Sequence, residues 1–276
     1  LAVQNPSGNV DTYNVAIGLN SQSNTTTGIN NVAVGGASLA ANTTASNNTA
    51  VGSAALGANT TGTQNTALGA TTLDANTTGD NNTALGWSAL TASTTGSGNT
   101  AVGSIALFVN TTGASNVAVG QEAMRYNTTA SNNTAVGFQA LNANTTGTNN
   151  VAVGKDSLDS NTTGNNNVAV GMDALQANIS GNNNVAVGTQ ALINNTGASN
   201  TAVGNDTLAA NTSGADNVAV GRSCLDANTT ASSCTAVGAS ALGSNTTGAL
   251  NTAVGSSAMA NNTTGTFNVA MGFAAL

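Results

Sequence analysis

The chain has 276 residues, of which 5% are charged, 3% are aromatic and none is His, and ten acidic against three basic side chains give a formal net charge of −7. This scarcity of titratable groups argues against acid–base and metal chemistry. We therefore expect that the chain is not an enzyme and has no cofactor and no metal site. Three cations offer no electrostatic surface for nucleic acid, and no apolar run approaches the roughly 20 residues that insert into a membrane.

In chain order, residues 1–13 are an irregular lead-in and residues 14–276 repeat one motif, Asn-[Thr/Val]-Ala-[Val/Ile/Leu/Met]-Gly. Its first residue, here called offset 0, recurs sixteen times from Asn14 to Asn268, with Cys234 in place of Asn once. Fourteen of the fifteen steps are 17 residues, and the step from Asn184 to Asn200 is 16. Such a period is too short for a helical-hairpin repeat, so we predict an all-β parallel solenoid of sixteen coils. Because residue 276 falls inside a unit, we expect a piece of a longer chain.

Each unit predicts the same succession of elements. Offsets 0 to +3 read as a first strand, with β-branched side chains favoured at +1 and +3. The Gly that always occupies +4 predicts a corner, since Gly alone takes a positive φ without steric cost. Offsets +5 to +9 predict a second short strand, and the Asn-Thr-Thr-Gly segment predicts the turn that closes the coil.

Alternation along the first strand places +1 and +3 on one face and 0, +2 and +4 on the other. We expect the coil interior to consist of the +3 and +8 columns, including Val34, Val51, Leu56, Val102, Val136 and Leu141. The invariant Ala column at +2 indicates a surface in close contact, which we interpret as the chain-association face; alternatively, Ala fills a narrow corner of a single coil. This column includes Ala16, Ala33, Ala50, Ala67, Ala84, Ala101, Ala118 and Ala135.

Two further motifs leave alternatives open. Cys224 and Cys234 lie ten residues apart across one turn, so they form either a disulfide, which fits an oxidising compartment, or two buried thiols. The Asn-Thr-Thr turns are N-glycosylation acceptor sequences, but stacked Asn and Thr also form hydrogen-bonded ladders, which is the stronger interpretation. The acceptor residues are Asn42, Asn59, Asn76, Asn110, Asn144 and Asn228.

Two surface activities find weaker support in the sequence. The Thr columns at +12 and +13 suggest an ice-binding surface. However, adjacent positions of an extended segment point to opposite sides, so the two columns do not form one flat array. Exposed aromatic residues can stack on sugars, but Trp87, Phe108, Tyr126 and Phe138 are interpreted as isolated surface side chains. No Gly-Gly-x-Gly-x-Asp pattern predicts a calcium site.

The repeat Asn-Thr-Ala-Val-Gly-x-x-Ala-Leu-x-x-Asn-Thr-Thr-Gly, as at residues 48–62 and 133–147, resembles the head and shaft repeats of trimeric autotransporter adhesins. It is more similar still to repeats of phage and bacterial tail-fibre proteins that carry a C-terminal self-cleaving chaperone domain. The resemblance covers residues 14–276 and implies a left-handed β-roll, a homotrimer, and an extracellular position on a cell surface or virion. The adhesin head repeat is usually shorter, and this chain shows no anchor, coiled-coil stalk or chaperone domain.

We therefore expect a structural fibre segment, the shaft or head of a trimeric adhesin or tail fibre, that serves surface attachment. Its partners would be further copies of itself and a glycan or protein of the host surface. Two alternatives stay open: the subunit of a self-assembling extracellular filament, and a monomeric solenoid that binds ice or sugar.

Overall fold

A computed structural model describes residues 13–276, so the predicted lead-in, apart from Tyr13, lies outside the described residues. The described part contains sixteen strands of three residues each and no helix. Every strand occupies offsets +1 to +3 of its unit. The strands are β1 Val15–Ile17, β2 Val32–Val34, β3 Thr49–Val51, β4 Thr66–Leu68, β5 Thr83–Leu85, β6 Thr100–Val102, β7 Val117–Val119, β8 Thr134–Val136, β9 Val151–Val153, β10 Val168–Val170, β11 Val185–Val187, β12 Thr201–Val203, β13 Val218–Val220, β14 Thr235–Val237, β15 Thr252–Val254 and β16 Val269–Met271.

The described part of the chain forms two compact units, one that ends at Ala135 and one that comprises Val136–Leu276. Within the first, β1 to β7 pair in parallel, each with the next strand in the sequence. Within the second, β9 to β16 pair in the same way. Equivalent offsets face each other throughout, even beside the 16-residue step, where Ala186 pairs with Ala202. The predicted all-β parallel solenoid with a 17-residue repeat is therefore confirmed.

The prediction of a second strand at offsets +5 to +9 is wrong. This segment is a run of turns: in one coil, the backbone N–H of Gly57 donates to Ala54 O (3.2 Å) and that of Asn59 to Leu56 O (3.2 Å). The residues at +6 and +8 take left-handed φ values, 57° at Ala54 and 52° at Leu56. Each left-handed non-Gly residue costs roughly 1 kcal/mol. This conformation turns the chain, so the segment is not an extended strand. The backbone still bonds to the next coil, as Leu56 N–H does to Thr72 O (3.0 Å).

The two faces of the first strand are the reverse of the prediction. The Ala side chains at +2 point into their own coil and are almost fully buried, so their interpretation as the chain-association face is wrong. This correction applies to Ala16, Ala33, Ala50, Ala67, Ala84, Ala101, Ala118 and Ala135. The valines at +3 lie on the outside and are partly exposed, so assigning Val34, Val51, Val102 and Val136 to the interior is also wrong. Leu56 and Leu141, at +8, do lie fully buried inside the coil.

The physical reason is the small space that a 17-residue coil encloses. Its interior columns are Asn at 0 and +11, Ala at +2, a small side chain at +7, and Gly or Ala at +14. The largest fully buried side chains all belong to the +8 column, such as Leu90, Met124 and Leu175. The Ala column is thus explained by the alternative weighed for it, a narrow corner of a single coil.

The corner at +4 behaves as the sequence predicts. Gly154 has a φ of 138°, a conformation that side chains with a Cβ rarely adopt. A Cβ on Gly154 would also lie under 3.0 Å from the backbone of Gly171 in the next coil. The corner therefore requires Gly for both conformation and space.

Candidate interaction surfaces

The outer strand face, defined as the side chains at offsets +1 and +3, is a double column of Val and Thr with an occasional Leu, Ile or Met. Its side chains are partly exposed; Val187 is 36% and Leu68 is 46% exposed. None of the thirteen charged residues of the sequence stands at either offset within the repeats. The face is therefore an uncharged, methyl-rich surface that β1 to β7 and β9 to β16 present in register within their units.

The Asn column at offset 0 forms a buried ladder that joins each coil to its neighbour. The backbone N–H of Asn48 donates to Asn31 Oδ1 (3.0 Å), and Asn48 Nδ2 donates to Gly62 O (2.9 Å). Asn65 repeats both bonds one coil later, at 2.9 and 2.8 Å. Sequence reasoning placed this column on the chain-association face and missed the ladder, although its near-invariance in a non-turn position was a signal.

The Asn column at +11, which contains the glycosylation acceptors, forms a second buried ladder. Asn59 Nδ2 donates to Gly62 O (2.9 Å) in its own coil, and Asn76 Nδ2 donates to Asn59 Oδ1 (2.9 Å). A glycan would have to be attached to such a buried, hydrogen-bonded nitrogen, so the folded coil does not present these amides to solvent. All six acceptors are fully buried: Asn42, Asn59, Asn76, Asn110, Asn144 and Asn228.

The Thr column at +12 is engaged along the axis. Thr60 Oγ1 donates to Thr77 O (3.0 Å), and Thr77 Oγ1 donates to Thr94 O (3.0 Å). The neighbouring +13 residues, such as Thr61, are exposed, and the +12 hydroxyls donate along the axis even where the residue is exposed, as Thr212 Oγ1 does to Thr229 O (2.9 Å). The two Thr columns therefore do not present one array of free hydroxyls.

The turn side of the coil, defined as offsets +5 to +10, carries most of the charged residues. Lys155 Nζ lies 2.6 Å from Asp156 Oδ2, and this hydrogen bond raises the Lys155 pKa. Burial raises the pKa of Asp159, and the negative charge of Asp156 raises it further. Burial likewise raises the pKa values of Asp74 and Asp226.

The turn side also carries exposed aromatic residues. Trp87, Phe108 and Tyr126 stand at +5, +9 and +10 of three successive coils in the first unit, one ring in each. Trp87 is 62% and Tyr126 is 44% exposed. The prediction of isolated side chains overlooked this run because the three offsets were treated as separate columns, although one aromatic residue per coil was visible in the sequence.

Cys224 and Cys234 are separate, buried thiols, so the disulfide interpretation does not describe this structure. Cys224 Sγ donates to Ala236 O (3.2 Å), and Cys234 Sγ donates to Gly248 O (3.3 Å), the bond that Asn makes elsewhere at offset 0. Burial raises the pKa of the Cys224 thiol to about 12 and also raises that of Cys234. Both thiols therefore stay protonated and unreactive near neutral pH.

Among residues 13–276, no group of three or more His, Cys, Asp or Glu side chains is arranged to hold a metal ion. Within the same residues, no helix is long and apolar enough to cross a membrane. Comparison with known proteins finds no matching family model and no matching curated protein.

Proposed function

We propose that this chain is a structural segment of an extracellular fibre, the shaft or head of a homotrimeric adhesin or tail fibre, and that it serves surface attachment. One observation carries the proposal: an uncharged aliphatic face runs along successive coils and is left uncovered by its own chain. The resemblance of the repeat to adhesin and tail-fibre repeats points the same way.

The size of the outer strand face favours another protein surface as its cover. Over β1 to β7 the two columns expose on the order of 600 Å², the upper end of the roughly 300–600 Å² that the largest patch on a typical monomer covers. That area approaches the roughly 800 Å² that each partner buries in a stable interface. A second copy of the chain fits best, because it has the same coil repeat and can match the columns along their length.

Hydrogen bonds along the axis suit a load-bearing role. Within each unit, successive coils are joined by backbone pairs, and most of them also by the offset 0 ladder and the +11 ladder, as at Asn48 and Asn76. A pull along the axis therefore acts on several parallel bonds at every coil step. The turn side and the +13 Thr column remain available for contacts with a surface.

The test is the absolute mass in solution by light scattering over a range of concentrations. We expect about three times the chain mass of 26.4 kDa. The double variant Val187→Asp, Val220→Asp should fall to the monomer mass while its circular dichroism stays unchanged. The matched control is Ser223→Asp, at the +6 offset where Asp already occurs in other coils, and it should keep the wild-type mass. A wild-type monomer at every concentration would overturn the association.

Localisation needs a separate measurement. Antibodies to the chain, applied to intact cells or particles of the source and followed by immunogold electron microscopy, should label the outer surface. Label seen only after permeabilisation would contradict the extracellular assignment.

Ice binding is a second candidate, supported by the same face rather than by the +12 and +13 columns. Half of the +1 side chains are Thr, so methyl and hydroxyl groups recur there at the coil spacing of about 4.8 Å. A monomer that shows thermal hysteresis in a freezing-point measurement would favour this function over the fibre.

A further inference from the structure

Three successive coils of the first unit each carry one aromatic residue on the turn side, and these residues are here called the aromatic patch: Trp87, Phe108 and Tyr126. They belong to the coils that begin at Asn82, Asn99 and Asn116. In the +5 column, the residues on either side of Trp87 are Ala70 and Ser104, both small. Small neighbours leave the indole uncovered along the axis, consistent with its high exposure.

Backbone bonds hold the three coils in register. Ile105 N–H donates to Trp87 O (3.0 Å), and Val109 N–H donates to Arg125 O (3.1 Å). Phe108 and Arg125 therefore stand in one column, one coil step of about 4.8 Å apart. A step of this size is close to the length of one sugar ring in an extended oligosaccharide.

A cation fixes one ring of the patch. The Arg125 guanidinium lies 5.0 Å from the centroid of the Tyr126 ring, and Arg125 Nη1 lies 3.5 Å from Glu122 Oε2. A cation within about 6 Å of a ring face is attracted to it, so Arg125 restrains Tyr126. Because Glu122 neutralises Arg125, the patch presents little net charge to a ligand.

Neutral hydroxyl groups border the rings. The Oγ1 of the partly exposed Thr71 shares a 2.7 Å hydrogen bond with the Oγ of Ser88, which is itself buried next to Trp87. Thr91 Oγ1 donates to Thr71 O (2.8 Å). Rings that offer an apolar surface, beside hydroxyls that exchange hydrogen bonds, match a sugar, which has a C–H face and hydroxyl edges.

We propose that the aromatic patch binds a neutral oligosaccharide by stacking sugar rings on Trp87 and Tyr126. An acidic glycan is disfavoured because the chain carries a net charge of −7 and the single cation in the patch is already paired. A protein partner is disfavoured because three coils offer far less area than the roughly 800 Å² per side of a stable interface. The proposal rests on the proposed attachment function and names the class of ligand on the attached surface.

Trp87 is the one tryptophan of the sequence, so tryptophan emission reports on the patch alone. The probe is a panel of neutral oligosaccharides, built from glucose, galactose, mannose or N-acetylglucosamine, beside uronic-acid and sialylated oligosaccharides. At least one neutral member should shift or quench the emission in a saturable way. Tyr126→Ala should raise the Kd of that member at least about tenfold, the loss expected for one stacked ring. The matched control Phe267→Ala, an exposed aromatic residue outside the patch, should bind like wild type.

Three results would overturn the proposal: no emission change or calorimetric heat with any neutral oligosaccharide at millimolar concentration, binding of acidic members alone, or equal losses in Tyr126→Ala and Phe267→Ala. Circular dichroism must show that both variants keep the wild-type fold. Light scattering separates this failure from failure of the fibre: a monomer that still binds the sugar refutes the fibre and keeps the site. A trimer without sugar binding does the opposite.

Discussion

Restoring the +11 ladder where Ser93 interrupts it should stabilise the coils around Ser93. Ser93 replaces the Asn found at this offset in the coils on either side, and it is fully buried. Ser93 Oγ and Asn76 Oδ1 are both buried without a hydrogen-bond partner. An Asn at 93 would donate to Asn76 Oδ1 and to Gly96 O, and it would accept from Asn110, as intact coils do at Asn59 and Asn76.

The gain follows from those two unpaired atoms. Each buried, unsatisfied polar atom costs about 1–3 kcal/mol, and ordering a longer side chain costs about 1 kcal/mol. We therefore expect Ser93→Asn to raise the local free energy of opening by about 2 kcal/mol, which slows amide exchange roughly thirtyfold.

Native-state hydrogen exchange followed by mass spectrometry is the appropriate assay, because a repeat protein need not unfold in one step. Peptides that cover residues 76–113 should gain protection in Ser93→Asn. The matched reverse variant, Asn59→Ser, should lower protection in residues 42–79 by a similar amount. Unchanged exchange in both variants would refute the view that the ladder stabilises the coils.

Three other predictions concern the interior, the corner and the acidic side chains. Gln22 is a buried residue at +8 whose side-chain amide atoms have no hydrogen-bond partner. Gln22→Leu should therefore stabilise the first coil by about 2 kcal/mol, measured as slower amide hydrogen exchange in that coil. Unchanged exchange would mean that the Gln22 amide is already satisfied. Gly154→Ala at +4 should lower the melting temperature more than Gly164→Ala at +14, where three coils already carry Ala; equal losses would contradict the conformational role of the corner. Stability should increase as pH falls from 7 to 3, because burial raises the pKa of Asp74, Asp159 and Asp226 in the folded state. The folded chain therefore binds protons more readily than the unfolded chain. Denaturant melts at both pH values test this, and a loss of stability in acid would contradict it.

The repeat, the first strand and the Gly corner could be predicted because each depends on one coil. Regular spacing defined the coil, β-branched side chains marked the strand, and the Gly column marked the backbone that only Gly adopts. The Asn-Thr-Thr ladder was also predictable, since identical side chains in register must face each other one coil apart.

The orientation of the strand could not be predicted from alternation, which defines two faces without saying which one is inside. Hydrophobicity favoured Val34 over Ala33 for the interior, but the width of the closed coil decided in favour of Ala. The turn segment was missed for a different reason. Leu56 at a φ of 52° contradicts ordinary backbone preference, and only the bonds to adjacent coils make that conformation acceptable.

The narrow interior described above also affects how stability depends on temperature. Hydration of apolar surface dominates the heat capacity of unfolding, at about 12–15 cal/mol/K per residue in ordinary domains, while exposed amide groups lower it. These coils bury Ala, Gly and two Asn columns beside a single Leu column, so unfolding exposes little hydrocarbon and many amides. The curve of stability against temperature is therefore flatter than that of an ordinary globular domain, and the folded coils keep similar stability in cold and in warm surroundings.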